Sequence, residues 1–330
     1  MKTALTGIKP TGTPHIGNYL GAIKPALELS KSCETRYFIA DYHALNTCKN
    51  AEDLRSMTLE IAAAWLACGL DPEKSLIYRQ SSIPQTFELA TILMAFTPKG
   101  LMNRAHAYKA MLQSNHEAGK DPDDGVNMGL FTYPILMAAD ILLFDPDFVP
   151  VGFDQFQHVE MAVDIAQSFN FVYQREGLKL PKALAHEGAQ TVVGLDGRKM
   201  SKSYGNVIPL FASAKELRKT VMKIVTNSQG VEEPKNPDEC SIFALYKNFA
   251  TPEQIDDLRA RYLAGGMGWG HAKQELFERM DETLCPFRER YNELMKNPDY
   301  IHKILKEGSE KAIPLAEKKI KTLRQIIGID

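Results

Sequence analysis

A chain of 330 residues that is 44% hydrophobic and 24% charged has room for one large or two ordinary soluble domains. Its formal net charge of -2 excludes a globally basic nucleic-acid binder, so contact with an anionic partner must come from local patches. The five cysteines, Cys33, Cys48, Cys68, Cys240 and Cys285, form no C-x-x-C pair. That argues against a zinc ribbon or an iron–sulfur site, and an odd number fits a reducing cytoplasm. The longest nearly apolar run, residues 61–70, is about half a membrane span. A soluble, cytoplasmic protein without membrane contact is expected.

Residues 3–6 read as a short strand ending in Gly7-Ile8-Lys9-Pro10-Thr11-Gly12-Thr13-Pro14, and a helix is expected from His15 through Leu20, Ile23 and Ala26. Strand, glycine-rich turn and helix N-terminus together offer free N–H groups and a positive dipole end to an anion, and Gly17 permits close backbone approach. Residues 36–40 form a second strand, with Asp41-Tyr42-His43 at its carboxyl end. A helix over 51–68 and a strand around 76–78 follow. Strands alternating with helices imply a parallel sheet that binds ligands at the carboxyl ends of its strands. His43 lies at such an end, although a histidine hydrogen-bonded in the core or a loop fits equally.

Residues 83–111 are patterned as helix, and residues 113–124, with Gly119 and Pro122, as a mobile polar loop. In the apolar stretch 132–143, Pro134 suits the first turn of a helix. Tyr133, Met137 and Asp140, spaced i, i+4, i+7, share one face of it. A carboxylate among apolar neighbours needs a donor, so Asp140 is either paired within the protein or aimed at a ligand. Residues 148–151 form the next strand. The turn Gly152-Phe153-Asp154-Gln155 suits ribose hydroxyls or an ammonium group, or else Asp154 caps the helix that runs on through Phe169.

Residues 191–194 read as a last short strand before the turn Leu195-Asp196-Gly197-Arg198 and the pentapeptide Lys199-Met200-Ser201-Lys202-Ser203. Two ammonium groups and two hydroxyls in so short a loop suit a polyphosphate, or a solvated basic surface. Residues 207–212 look like an extended linker. From 214 onward the period is near 3.6, in segments punctuated by Pro234, Pro237, Pro252, Pro286, Pro298 and Pro314. The expected architecture is therefore α/β: a Rossmann-like doubly wound parallel sheet over 1–210 and a smaller all-helical domain over 211–330. Residues 301–330 carry seven Lys/Arg against four Asp/Glu, a solvated face or one suited to an RNA backbone.

His15-Ile16-Gly17-Asn18 and residues 199–203 resemble the two signature motifs of class I aminoacyl-tRNA synthetases, the first in its Asn-ended variant. Residues 7–12, 18–22, 133–142 and 149–152 follow, in order, the pattern of the bacterial tryptophanyl-tRNA synthetases. The resemblance spans the chain and is strongest through Ser203. It implies a homodimer that uses ATP with Mg²⁺, but no protein-ligated metal, to form tryptophanyl-adenylate and pyrophosphate and then charge tRNA(Trp). The helical domain would bind the anticodon.

The same resemblance assigns roles. Lys199, Ser201, Lys202, His15 and Asn18 would be catalytic, the two lysines holding the pyrophosphate. ATP would meet Lys9, Pro10, Thr11, Gly17, Asn18, Gly152, Asp154, Val192, Met200 and Ser203 besides Lys199, Ser201 and Lys202. Asp140 would accept the indole N–H, Met137 meet the ring, and Tyr133 and Gln155 bind the α-ammonium, with Leu5, His43 and Val151 lining the pocket. Tyrosyl relatives share both motifs but carry glutamine where this chain has Met137, which favours tryptophan. Three departures stand out, one being that residues 113–124 form a longer segment than in the better-known bacterial tryptophanyl relatives. Ala107-Tyr108-Lys109-Ala110-Met111 replaces a Gln-Phe-Lys-x-Lys run, so that a phosphate-binding lysine has become Met111. Lys9 stands where glutamine is common, and is expected to supply part of the missing charge.

Overall fold

A computed structural model describes residues 1–152, 155–185 and 192–329. The elements follow in chain order. Strand β1 (Thr3–Ile8) leads into α1 (Ile16–Asn18), which passes through a π-helical turn (Tyr19–Ile23) into α2 (Lys24–Leu29). Next come β2 (Glu34–Ile39), α3 (Asp41–Ala44), α4 (Ala51–Ala67) and β3 (Leu76–Arg79), which ends in a 3₁₀ turn (Gln80–Ser82). Four helices follow: α5 (Gln85–Met94), α6 (Lys99–Met102), α7 (His106–Glu117) and α8 (Met128–Leu142). After β4 (Phe148–Val151), α9 (Phe156–Tyr173) and β5 (Lys182–Ala185), the chain continues as α10 (Ala214–Val221), α11 (Ser241–Tyr246), α12 (Pro252–Ala264), α13 (Trp269–Lys296) and α14 (Pro298–Ile327).

Among the described residues five strands pair in parallel in the order β3-β2-β1-β4-β5. The order reverses between β1 and β4, and a crevice opens at the carboxyl ends of strands on either side of such a switch point. Helices cover both faces, and β1 accordingly buries Ala4, Leu5 and Thr6 in succession. One core joins α4 to α13, and α13 to α10 and α11, with Trp65 of α4 fully buried in it. The other packs α5, α8 and α9 against the second half of α14 through Ala312, Ala316, Ile320 and Leu323.

Helix α14 lies on the edge strand β3. A Cβ at Gly308 would fall 1.8 Å from the carbonyl oxygen of Ile77, so only glycine lets the two backbones come this close. The contact also covers a sheet edge that would otherwise be open to pairing. Lys319 secures the helix, donating to both Asp145 carboxylate oxygens at 2.6 and 2.8 Å and to the Gly177 carbonyl at 2.7 Å. Arg324 adds a forked pair to Glu88 at 2.6 and 2.7 Å. Among the described residues no helix is long and apolar enough to cross a membrane.

The structure departs from the sequence reading at five places. The helix expected over 83–111 is three helices, broken near Pro98 and Ala105. The loop expected over 113–124 begins only after Glu117, because α7 continues through Gln113, which donates to Glu117 at 2.6 Å one turn on. Helix α8 starts at Met128, where Asn127 accepts from the Leu130 N–H, so Pro134 lies inside the helix rather than in its first turn. Pro286 and Pro314 likewise fall within α13 and α14 instead of ending segments.

The fifth departure concerns residues 191–194, of which the described ones, 192–194, add no strand to the sheet. Among the described residues of that stretch, Val193 makes one antiparallel bridge to Lys199. Met200 N–H donates to Val192 O at 2.8 Å and Gly194 N–H to Arg198 O at 2.7 Å. The backbone there is satisfied by a local hairpin around the 195–198 turn. The sheet position is taken instead by Lys182–Ala185, a tetrapeptide without a β-branched residue. Thr191 and Asp154 lie outside the described residues.

Candidate active site

A cleft of about 670 Å³ opens beyond the end of β1, lined by residues 9–13, 47–50, Asp53, Ser56, Met57, Glu60 and Lys202. Lys202 reaches across it and donates to the Thr11 carbonyl at 2.7 Å. Gly12 turns the chain beneath this ammonium with φ of 87°, and a Cβ there would approach the Lys202 Nζ to 3.2 Å. On the floor, Glu60 accepts from the Ser56 hydroxyl at 3.0 Å and the Thr13 hydroxyl at 3.4 Å. Burial lowers the Lys202 pKa from its ordinary value, and the Glu60 carboxylate acts against that.

The loop that carries Lys202 is built on two anchors. Asn206, itself buried, accepts the Ser201 N–H at 2.8 Å and donates to Asp196 Oδ1 at 2.7 Å and to the Lys199 carbonyl at 3.1 Å. Bonding by Asn206 and then by Arg198 holds the Asp196 carboxyl at about 2. The second anchor is Met200, 5% exposed, whose sulfur accepts the Gly17 N–H at 3.3 Å. Both expected phosphate elements therefore meet, with the first turn of α1 resting on the lysine loop. There His15 N–H donates to the Asn18 side-chain oxygen at 3.0 Å. Burial, and then the nearby Lys202 charge, push the His15 imidazole down to about 4, so the ring is neutral at pH 7. Its buried Nδ1 has no hydrogen-bond partner.

A second polar cluster lies among the strand ends. Asp140, 3% exposed, accepts from His43 Nε2 at 3.0 Å and from Gln80 Nε2 at 2.9 Å on one oxygen and 2.8 Å on the other. Burial raises its pKa, and the bonds from His43 and Gln80 oppose the rise. Asp140 thus has partners within the protein, while Oδ1, with one donor, keeps acceptor capacity for another. The Tyr133 hydroxyl bonds His158 Nε2, and His158 Nδ1 bonds Gln155 Oε1 at 2.8 Å. Tyr133 and Gln155, named separately from the sequence, are one chain bridged by an imidazole.

Of the other expected residues, Lys9, Pro10 and Thr11 line the cleft, and Leu5 is 1% exposed at the centre of β1. Met137 and Val151 pack on the core that surrounds Asp140, and Gly152 follows β4 directly. Val192 lies in the hairpin against the opposite core, while Lys199 and Ser203 are exposed on the loop. Sequence reasoning missed Gln80, Glu60, His158 and Asn206. Gln80 stood directly beyond β3, at a strand end where polar residues meet ligands, so the signal was available. Asn206 offered none, because only the folded loop shows what it ties. Among the described residues no group of three or more His, Cys, Asp and Glu is arranged to hold a metal ion.

A parallel sheet reversing beside a cleft that carries Lys9, Lys49 and Lys202, with the lysine loop locked onto the helix after β1, suits a nucleotide-dependent class I synthetase. The family described as tRNA synthetases class I (W and Y) matches residues 1–285, and this chain belongs to it. Within the family the likeness is to the tryptophan branch. The tryptophan–tRNA ligase of Bordetella parapertussis is 53% identical over 98% of this chain and 72% of its own length. That of Neisseria meningitidis is 50% identical over 99% and 98%. The crystal structure of tryptophanyl-tRNA synthetase from Campylobacter jejuni complexed with ADP and tryptophan superposes with a TM-score of 0.88 at 43% identity, covering 99% of each chain. A tyrosyl-tRNA synthetase from Archaeoglobus fulgidus, at 21% identity and a TM-score of 0.65, shares the fold.

Proposed function

We propose that this chain is a tryptophan–tRNA ligase, activating L-tryptophan with ATP and transferring it to tRNA(Trp). The observation that carries the reading is the Lys202–Thr11 bond, which brings the 199–203 loop over the cleft beside His15, Gly17 and Asn18. The tryptophan carboxylate attacks the α-phosphate, the bond to pyrophosphate breaks, and the leaving group departs with its charge. A tRNA hydroxyl then displaces AMP from the adenylate. No enzyme nucleophile is needed, so the protein's part is positioning and neutralisation. Lys202 and Lys199 take the pyrophosphate, and Lys9 adds charge that Met111 does not provide. Neutral His15 offers a polar contact without placing a further cation beside Lys202. Gly17, Asn18, Gly152, Asp154 and Val192 belong to the nucleotide's contacts.

In the amino-acid pocket, Asp140 accepts the indole N–H while Met137, Leu5, His43 and Val151 surround the ring. The Tyr133–His158–Gln155 chain meets the α-ammonium. Mg²⁺ enters with ATP, and the Asp53 and Glu60 carboxylates lining the cleft fit a hard cation that keeps phosphate oxygens as its main ligands. Residues 211–330 are the tRNA anticodon-binding domain, and the enzyme works as a cytoplasmic homodimer. ATP–pyrophosphate exchange run with each amino acid separately is the test. Exchange driven by tryptophan and not by tyrosine is expected, and the reverse preference would overturn the reading.

A further inference from the structure

We propose that Gln80 is a positioning residue for amino-acid selection: it fixes the Asp140 carboxylate so that one acceptor site, on Oδ1, is left for the ring N–H of the substrate. The inference rests on the reading of Asp140 as the indole acceptor.

Gln80 is 1% exposed and its amide donates to both Asp140 oxygens, at 2.9 Å to Oδ1 and 2.8 Å to Oδ2. His43 Nε2 adds a second donor to Oδ2 at 3.0 Å. Each carboxylate oxygen has two lone pairs, so Oδ2 is filled by the protein and Oδ1 is half filled. The amide cannot turn over, because its oxygen accepts the Tyr42 N–H at 3.0 Å. A flipped amide would face that N–H with its own NH₂ and the carboxylate with its oxygen, leaving buried donors and acceptors unpaired.

The support extends one step further. Asp41 accepts the Ser81 N–H at 2.9 Å on Oδ1 and the Ser81 hydroxyl on Oδ2. Residues 41–42, beyond β2, and residues 80–81, beyond β3, thus hold each other reciprocally. The two segments that carry His43 and Gln80 reach Asp140 as one rigid unit. A carboxylate free to rotate on α8 could offer either oxygen to water or to a differently placed donor. Gripped on both oxygens, it presents one acceptor in one direction, and a substrate without a donor there leaves a buried lone pair unmet.

The test compares kcat/KM in ATP–pyrophosphate exchange for tryptophan and for its benzothiophene analogue, which keeps the ring shape and lacks the N–H. Wild type, Asp140→Asn, Gln80→Met and Gln80→Leu are measured, with the ATP KM as control. Wild type should prefer tryptophan strongly, and Asp140→Asn should lose that preference. In Gln80→Met the preference should fall about tenfold or more, as expected for losing the orientation of one buried hydrogen bond, with the ATP KM within about twofold of wild type. Gln80→Leu, likewise without a donor and without a second carboxyl beside Asp140, decides the matter if Gln80→Met does not fold. A wild type indifferent to the analogue would overturn the reading of Asp140 and this inference with it. A discriminating wild type with unchanged preference in both Gln80 variants would overturn the role of Gln80 alone.

Discussion

The Lys202 ammonium rests on the carbonyl oxygen of Thr11, 2.7 Å away and 191 residues distant in the chain. A single bond therefore joins the loop after β1 to the loop that follows the hairpin at residue 193, across the mouth of the cleft. The carbonyl is a neutral acceptor. A phosphate oxygen in the same place would make the stronger, charge-assisted bond, and in the proposed function the ammonium transfers to the nucleotide.

Replacing Lys202 with glutamine should lower kcat for tryptophan-dependent pyrophosphate exchange by about 10²–10³-fold, the size expected for removing one donor aimed at developing charge. The thermal unfolding midpoint should hardly move, because this surface bond is worth under about 1 kcal/mol to the fold. Activity within about threefold of wild type would contradict the assignment.

Lys9→Gln tests whether Lys9, which lines the cleft, supplies charge that Met111 does not. The ATP KM should rise by about fivefold to thirtyfold, equivalent to about 1–2 kcal/mol of lost ionic contact, while the tryptophan KM stays unchanged. A near-normal ATP KM and rate would remove Lys9 from the site.

His15 carries a pH signature. Its folded pKa of about 4 lies below the ordinary 6.5, so across that window the unfolded chain binds more protons than the folded one, and stability rises with pH. Acidification from 6.5 toward 4 should therefore cost wild type more unfolding free energy than it costs His15→Gln, as measured by urea unfolding at several pH values. Because burial comes first and Lys202 second among the causes, Lys202→Gln should raise the His15 pKa only part of the way in an NMR titration. Parallel stability profiles for wild type and His15→Gln would contradict this account.

Gly308→Ala should be far more damaging than an ordinary glycine-to-alanine change on a helix. The added methyl would meet the Ile77 backbone at 1.8 Å, so α14 must lift from β3, a destabilisation of about 2 kcal/mol or more. Gly21→Ala, where an added Cβ meets nothing within 4 Å, should leave the denaturation midpoint close to wild type. Equal midpoints for the two variants would mean that α14 does not bear on the edge strand as described.

The sequence made legible what is periodic or local. Strand–helix alternation gave the parallel sheet, and the turn at residues 7–14 gave the helix start that follows β1. The 3.6 period gave the helical region, although Pro286 and Pro314 lie within α13 and α14, which bury Leu284, Leu294, Ala312 and Ala316 against the two cores. The valines at 192–193 advertised a strand, yet their hydrogen bonds are spent in a hairpin, while Lys182–Ala185 became β5 by position alone. For the site, spacing placed Tyr133, Met137 and Asp140 on one face. It could not supply His158, which acts on Tyr133, 25 residues away and brought near only by the fold, whereas Gln80, 60 residues from Asp140, was signalled by its place beyond β3 and not by spacing.

The most direct test of the central claim is aminoacylation of total bacterial tRNA by the purified chain, supplied with labelled tryptophan or tyrosine in parallel. The account predicts charging by tryptophan, dependent on ATP and Mg²⁺ and strongly reduced in Lys202→Gln, with no charging by tyrosine. Tight tryptophan binding without any charging of tRNA, or charging by tyrosine, would contradict it.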